Sequence, residues 1–137
     1  MLNSTRVSDA SAAFLAVTGM LLLFASEEML PLVVRGFPPA VAWVGELVAS
    51  GWLAMAILNW ANRKALLGGV YGRPVVLTNL LFYFSTLMTL LRLVSKQVVP
   101  IGALYLLVPI AIFTLLYGRL LYGGPLGDDY ERFRNAP

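Results

Sequence analysis

The chain has 137 residues, 59% of them hydrophobic and only 12% charged, with a formal net charge of +3 and neither Cys nor His. A soluble domain is about 45–50% apolar and about 25% charged, and so short a chain has too little interior to hide the surplus. The missing Cys and His remove disulfides, thiol nucleophiles, Fe–S clusters, His-ligated haem, nearly all zinc sites and the commonest general base, and the basic residues are scattered at the ends of apolar runs, which is not a nucleic-acid pattern.

A hydrocarbon core about 30 Å thick takes ~20 apolar residues in helical form. Four runs meet that length, at about 10–34, 40–61, 74–94 and 98–122. They are too long and too evenly apolar for barrel strands, which alternate. The first run contains AFLAVTGMLLLFA and is predicted to stay in the mature chain: Leu23, Phe24, Ala25 and Ser26 do not form the small-residue pattern of a signal-peptide cleavage site. Arg35-Gly36-Phe37-Pro38-Pro39 then reads as a stop and turn.

After the second run, the longest connector extends from Asn62 to Arg73 and holds Gly68, Gly69 and Gly72. Pro74 follows at a position suited to the first turn of a helix. Ser95-Lys96-Gln97 makes the last turn, and Pro109 falls near the middle of the fourth run, where it is predicted to kink the helix. Connectors this short make sequential helices antiparallel. The expected fold is all-α: an integral membrane bundle of four antiparallel transmembrane helices over residues 1–122, followed by a polar cytoplasmic tail, 123–137.

Basic residues favour the cytoplasmic side. Arg6, Arg63, Lys64, Arg73, Arg119, Arg132 and Arg134 share the side of the termini and the second connector, against Arg35, Arg92 and Lys96 opposite. Both termini are therefore expected in the cytoplasm, with a bacterial cytoplasmic membrane as the location.

Polar residues within apolar runs are costly and mark candidate sites. On the outer side stand Glu27, Glu28 and Glu46, with Arg92 at similar depth. Glu27 is about 26 Å along its helix from Ala10, and Glu46 about 9 Å from the outer end of its own. Ala12, Ala16 and Gly19 form a small-residue stripe that continues through Leu23 to Glu27; Ala42, Gly45, Ala49 and Ala56 form another, bordered by Glu46. Such stripes let helices approach closely. Glu27, Glu46 and Arg92 are accordingly expected to face inward as a ligand site or a self-compensating ion-pair cluster. On the inner side, Asn59, Arg63, Tyr71, Arg73 and Asn79 form a second layer. Its two readings are an anionic-headgroup site at Arg63 and Arg73, or an Asn–Asn staple between helices.

Trp43, Trp60 and Tyr122 fall where interfacial anchors belong, Trp52 falls mid-run, and Phe82-Tyr83-Phe84 reads as packing. No catalytic or metal-binding set emerges, and no cofactor is expected.

The segments LLLFASEEMLPLV and NWANRKALLGGVYGRPVVLTN, with the small-residue second helix carrying Glu46, resemble the small bacterial four-helix membrane proteins of the broad DoxX-like group. Some members of that group are described as membrane subunits of quinone-linked oxidoreductases. The resemblance implies a four-helix membrane fold and transfers no catalytic residues. The expected function is that of a non-catalytic bundle in the lipid bilayer, binding a lipid-like or quinone-like ligand or serving as a subunit of a larger membrane complex, with membrane-protein partners or a homo-oligomer. The alternative is a small proton-coupled transporter acting as an oligomer, with Glu27 or Glu46 as the coupling carboxylate.

Overall fold

A computed structural model of the chain describes residues 3–64, 72–96, 102–124 and 126. Among the described residues the structure is all-helical: α1 (Ser4–Phe24), α2 (Ser26–Val33), a 3-10 turn (Pro39–Val41), α3 (Trp43–Ala61), α4 (Arg73–Ser95) and α5 (Gly102–Gly123). Four of these stretches, Ser4–Phe24, Pro39–Ala61, Arg73–Ser95 and Ala103–Gly123, are long and apolar enough to cross a membrane.

The first helix begins earlier than the apolar run does. Asn3 caps it, its side chain accepting from the Thr5 N–H at 3.0 Å, which satisfies one of the free donors of the first turn. Ser4, Val7, Ser8, Ser11, Ala12, Leu15 and Gly19 are buried, a stripe with three- and four-residue steps. The extra turns thus carry interior serines, not solvent-facing ones.

The expected single helix over 10–34 is two helices. Ala25 adopts φ −133° and ψ 39°, closing α1 with its N–H on the Leu21 carbonyl and opening α2 with its carbonyl to Met29. The cause is local. Ser26-Glu27-Glu28 places two acids in the first turn of α2, where the exposed N–H groups favour negative charge. Pro31 withholds an N–H from the same short helix. Gly36, at φ +71°, makes the turn that follows.

α1 lies along α3 and α4 lies along α5, while contacts between the two pairs are sparser. The α1–α3 seam runs through the small residues. A Cβ on Gly19 would stand 3.0 Å from Leu53 Cγ and 3.4 Å from the Ala49 carbonyl oxygen, and one on Gly45 would stand 3.3 Å from Leu22 Cδ1 of α1 and 2.7 Å from Leu30 Cδ1 of α2. Ala42, Ala49 and Ala56 are buried on the same face of α3. Leu15, Val76, Tyr83, Ile110, Tyr117 and Leu120 fill the interior. Phe24, Leu47, Ile57, Leu81, Tyr105, Leu115 and Tyr122 stand exposed around the outside. α5 continues as one helix through Pro109. The expected start of the fourth helix at about 98 lies outside the described residues, as does most of the 123–137 tail.

Candidate functional site

Three layers follow one another along the bundle. The first is polar and buried, near the end that carries the N-terminus. Asn59 on α3 and Asn79 on α4 exchange side-chain hydrogen bonds, Asn59 Nδ2 donating to Asn79 Oδ1 at 2.8 Å and Asn79 Nδ2 donating to Asn59 Oδ1 at 2.6 Å. The second hydrogen of each amide is also used: Asn59 donates to Ser11 Oγ at 2.8 Å, and Asn79 to the Val75 carbonyl at 2.9 Å. Ser8 donates to the Asn59 carbonyl at 2.9 Å, and Ser11 shares a 2.7 Å bond with the Tyr83 hydroxyl. Ser4 accepts from the Leu126 N–H at 3.0 Å. Ser4, Ser8, Ser11, Asn59, Asn79, Tyr83 and Tyr117 are all essentially without solvent contact.

The second layer is aromatic. Tyr83 stacks on Phe113 and Tyr117, with centroids 5.0 and 5.8 Å apart. Phe14 lies 5.6 Å from Phe113 and 6.2 Å from Trp52, and Phe82 meets Trp52 and Tyr83 edge-on. Rings at these separations and tilts attract beyond their area of contact. Every helix except α2 contributes, so this layer closes the interior between the polar network and the other end.

The third layer is a cleft of about 570 Å³ between the two helix pairs. Its walls include Leu22, Val48, Trp52, Leu90, Leu106 and Ile110, and α2 contributes Met29, Leu30, Leu32 and Val33. The departure of the chain at Ala25 is what places α2 there. Two threonines on the wall have no spare hydroxyl proton: Thr18 donates to the Phe14 carbonyl at 2.6 Å and Thr86 to the Phe82 carbonyl at 2.7 Å. Such back-bonding hides hydroxyls within their own helices. Trp52 and Tyr105 are the lining residues whose polar groups make no hydrogen bond among the described residues. A concave, mainly apolar volume of this size is the usual form of a small-molecule site.

The expected site residues fall differently. Glu27, Glu28, Glu46 and Arg92 are exposed, and among the described residues none is ion-paired with another. The inward stripe from Ala12 to Glu27 assumed one continuous helix, and the break at Ala25 ends that phase. In the inner layer, Asn59 and Asn79 come together, but among the described residues Arg63 and Arg73 share no partner. Arg63 stacks 4.3 Å above the Trp60 ring, donates to the Trp60 carbonyl at 2.7 Å and lies 3.9 Å from Asp9. Arg73 is exposed, and Tyr71 lies outside the described residues. The serines of α1, Tyr83 and Tyr117 were not among the expected site residues. The signal for them was the Ser4, Ser8, Ser11 spacing, which puts three hydroxyls on one helix face. Among the described residues, no group of three or more acidic, His or Cys side chains gathers at one point.

No protein-family model, curated protein or solved structure matches this chain.

Proposed function

We propose that this chain is an integral membrane protein, crossing a bacterial cytoplasmic membrane four times, that holds the apolar chain of a lipid-like or quinone-like ligand in the cleft between its two helix pairs. The cleft of about 570 Å³ is the observation that carries this reading. Its lining is mainly apolar, and it contains no charged residue. Two uncommitted polar side chains, Trp52 and Tyr105, supply donors for a headgroup oxygen. A quinone occupant would suit a subunit role of the kind described for some DoxX-like proteins.

Membrane insertion is supported by the four long apolar helices and by large apolar side chains exposed all around the bundle, a surface that water tolerates poorly and lipid does not. An antiparallel arrangement is supported by the order of contacts. Ser8 meets Asn59, Gly19 meets Leu53, and Leu22 meets Gly45, so numbers rise on α1 as they fall on α3. Termini on the cytoplasmic side are supported by the seven basic residues on that side against three opposite.

The test is native mass spectrometry of the full chain released gently from its own membrane, alongside a Thr18→Phe, Val48→Phe variant that fills the cleft. The wild type should carry a lipid- or quinone-sized adduct that the variant lacks. A wild type free of adduct, or a variant that retains it in equal amount, overturns the reading. Proton-coupled transport has less support, because the outer carboxylates are exposed and stand apart from the cleft lining.

A further inference from the structure

A second concavity, of about 320 Å³, lies on the outside of the α1–α3 pair, toward the end that carries the N-terminus. Asp9, Ala13 and Ala16 line it from α1, and Ala56, Ile57 and Trp60 line it from α3. Steps of four and three put the first set on one face of α1. Asp9, Ala13, Ile57 and Trp60 are exposed, so the groove opens outward. Its apolar walls are built mainly of methyl groups, which leave a channel that longer side chains would fill. From Asp9 to Ala16 that channel covers about 10 Å of helix.

The head of the groove is charged and open. Arg63 Nε stands 3.9 Å from Asp9 Oδ1, beyond hydrogen-bond reach. Among the described residues, the Asp9 carboxylate accepts no hydrogen bond. Arg63 gives one hydrogen bond, to the Trp60 carbonyl, out of five N–H donors. Its guanidinium is held in place by the Trp60 ring beneath it, 4.3 Å away at the centroid. An acceptor and a set of donors therefore stand side by side at the top of an apolar channel, and neither satisfies the other.

We infer that this groove binds a zwitterionic phospholipid whose headgroup carries a primary ammonium, with the ammonium on Asp9, the phosphate on Arg63 and one acyl chain along the alanines. The inference rests on the reading of the chain as membrane-spanning, and is independent of any ligand in the cleft. Charge complementarity selects the occupant. An anionic headgroup such as phosphoglycerol brings nothing for Asp9 to accept, and its charge is repelled there. A quaternary ammonium has no N–H to donate to the carboxylate, and the face of Trp60 that would attract it is covered by Arg63. A primary ammonium donates to Asp9 directly, and a guanidinium matches phosphate oxygens. Trp60, at the head of the groove, suits the headgroup level of a bilayer.

The test uses the full chain, delipidated in mild detergent and titrated in native mass spectrometry with phosphatidylethanolamine, phosphatidylcholine and phosphatidylglycerol of identical acyl chains. The ethanolamine lipid should bind roughly threefold to fivefold tighter than either of the others, the scale of one partly screened ion pair. Asp9→Asn should abolish that preference. Ala13→Leu, which narrows the channel on an exposed position, should weaken all three lipids together. The cleft-filling Thr18→Phe, Val48→Phe variant should keep the preference. Equal binding of the ethanolamine and choline lipids, tightest binding of the glycerol lipid, or a preference that survives Asp9→Asn overturns the proposal. Alkaline carbonate extraction of the cell membranes, run in parallel, tells two failures apart. A chain released by carbonate removes the membrane reading and this site with it, whereas a chain that stays in the membrane without lipid preference removes the site alone.

Discussion

Asn59 and Asn79 bond to each other twice, at 2.8 and 2.6 Å, at a place where α3 and α4 otherwise have few contacts. The pair therefore does work that packing does along the α1–α3 seam. Asn79→Leu should lower stability by about 1–3 kcal/mol, because it leaves the Asn59 amide buried with unused groups. The double change to Leu should cost clearly less than the sum of the two single changes. Unfolding in detergent, arranged as a double-mutant cycle, measures the coupling; hydrogen-bonded pairs between membrane helices average about 0.6 kcal/mol in such cycles.

The small residues of the seam differ in what surrounds them. Gly19 faces Leu53 and the Ala49 backbone within 3.4 Å, so Gly19→Val should destabilise by about 1–3 kcal/mol through overpacking. Gly51, on the same partner helix, has nothing within 4 Å of an added Cβ. Gly51→Ala should leave Tm unchanged or raise it slightly. Thermal melts of the two variants side by side separate close approach from mere smallness.

Ser11 serves both Asn59 and Tyr83, whereas the exposed Ser85 bonds only to the Phe82 carbonyl of its own helix. Ser11→Ala is therefore expected to cost about 1–3 kcal/mol, and Ser85→Ala to fall within about 0.5 kcal/mol of the wild type. Equal effects in denaturant titrations would mean that the buried network contributes nothing specific.

The outer carboxylates give the opposite expectation. With Glu27, Glu28 and Glu46 exposed and unpaired among the described residues, their conversion to Gln should cost only what each charge gains in the first turn of its helix, about 0.3–1 kcal/mol apiece. Reconstituted in vesicles, the triple variant should match the wild type in proton flux. A flux present in the wild type and lost in the variant would favour the transporter reading over the ligand-holding one.

The elements most legible in sequence were those set by bulk hydropathy and by residue size. Apolar runs located the four long helices. The small residues of α3 and its N-cap marked the packed face, and Ala42, Gly45, Ala49 and Ala56 are indeed buried. Asn59 and Asn79 were legible because an amide deep in an apolar run must find a partner. The break at Ala25 was not, because apolar residues flank it on both sides; the Ser26-Glu27-Glu28 helix start was present but embedded in the run. That one missed break also misplaced Glu27, whose assigned face depended on unbroken helical phase. The serines of α1 were overlooked for a related reason. They precede or begin the apolar run, so they read as the edge of a span when they face its interior. The aromatic layer and the cleft depend on which rings meet across helices, and periodicity within one helix does not carry that information.

The break at Ala25 also sets a length. A helix continuous from Ser4 to Val33 would run to about 45 Å at 1.5 Å per residue, well beyond a hydrocarbon thickness of about 30 Å. Ended at Phe24, α1 has 21 residues, against 23 in α4 and in the stretch Pro39–Ala61, and 21 in Ala103–Gly123. All four spans then come within about 3 Å of one another. In a bilayer, such a bundle has little hydrophobic mismatch to relieve by tilting or by thinning the lipid around it. Mutations that fuse α1 and α2 into one straight rod would disturb that match before they disturbed any side-chain contact.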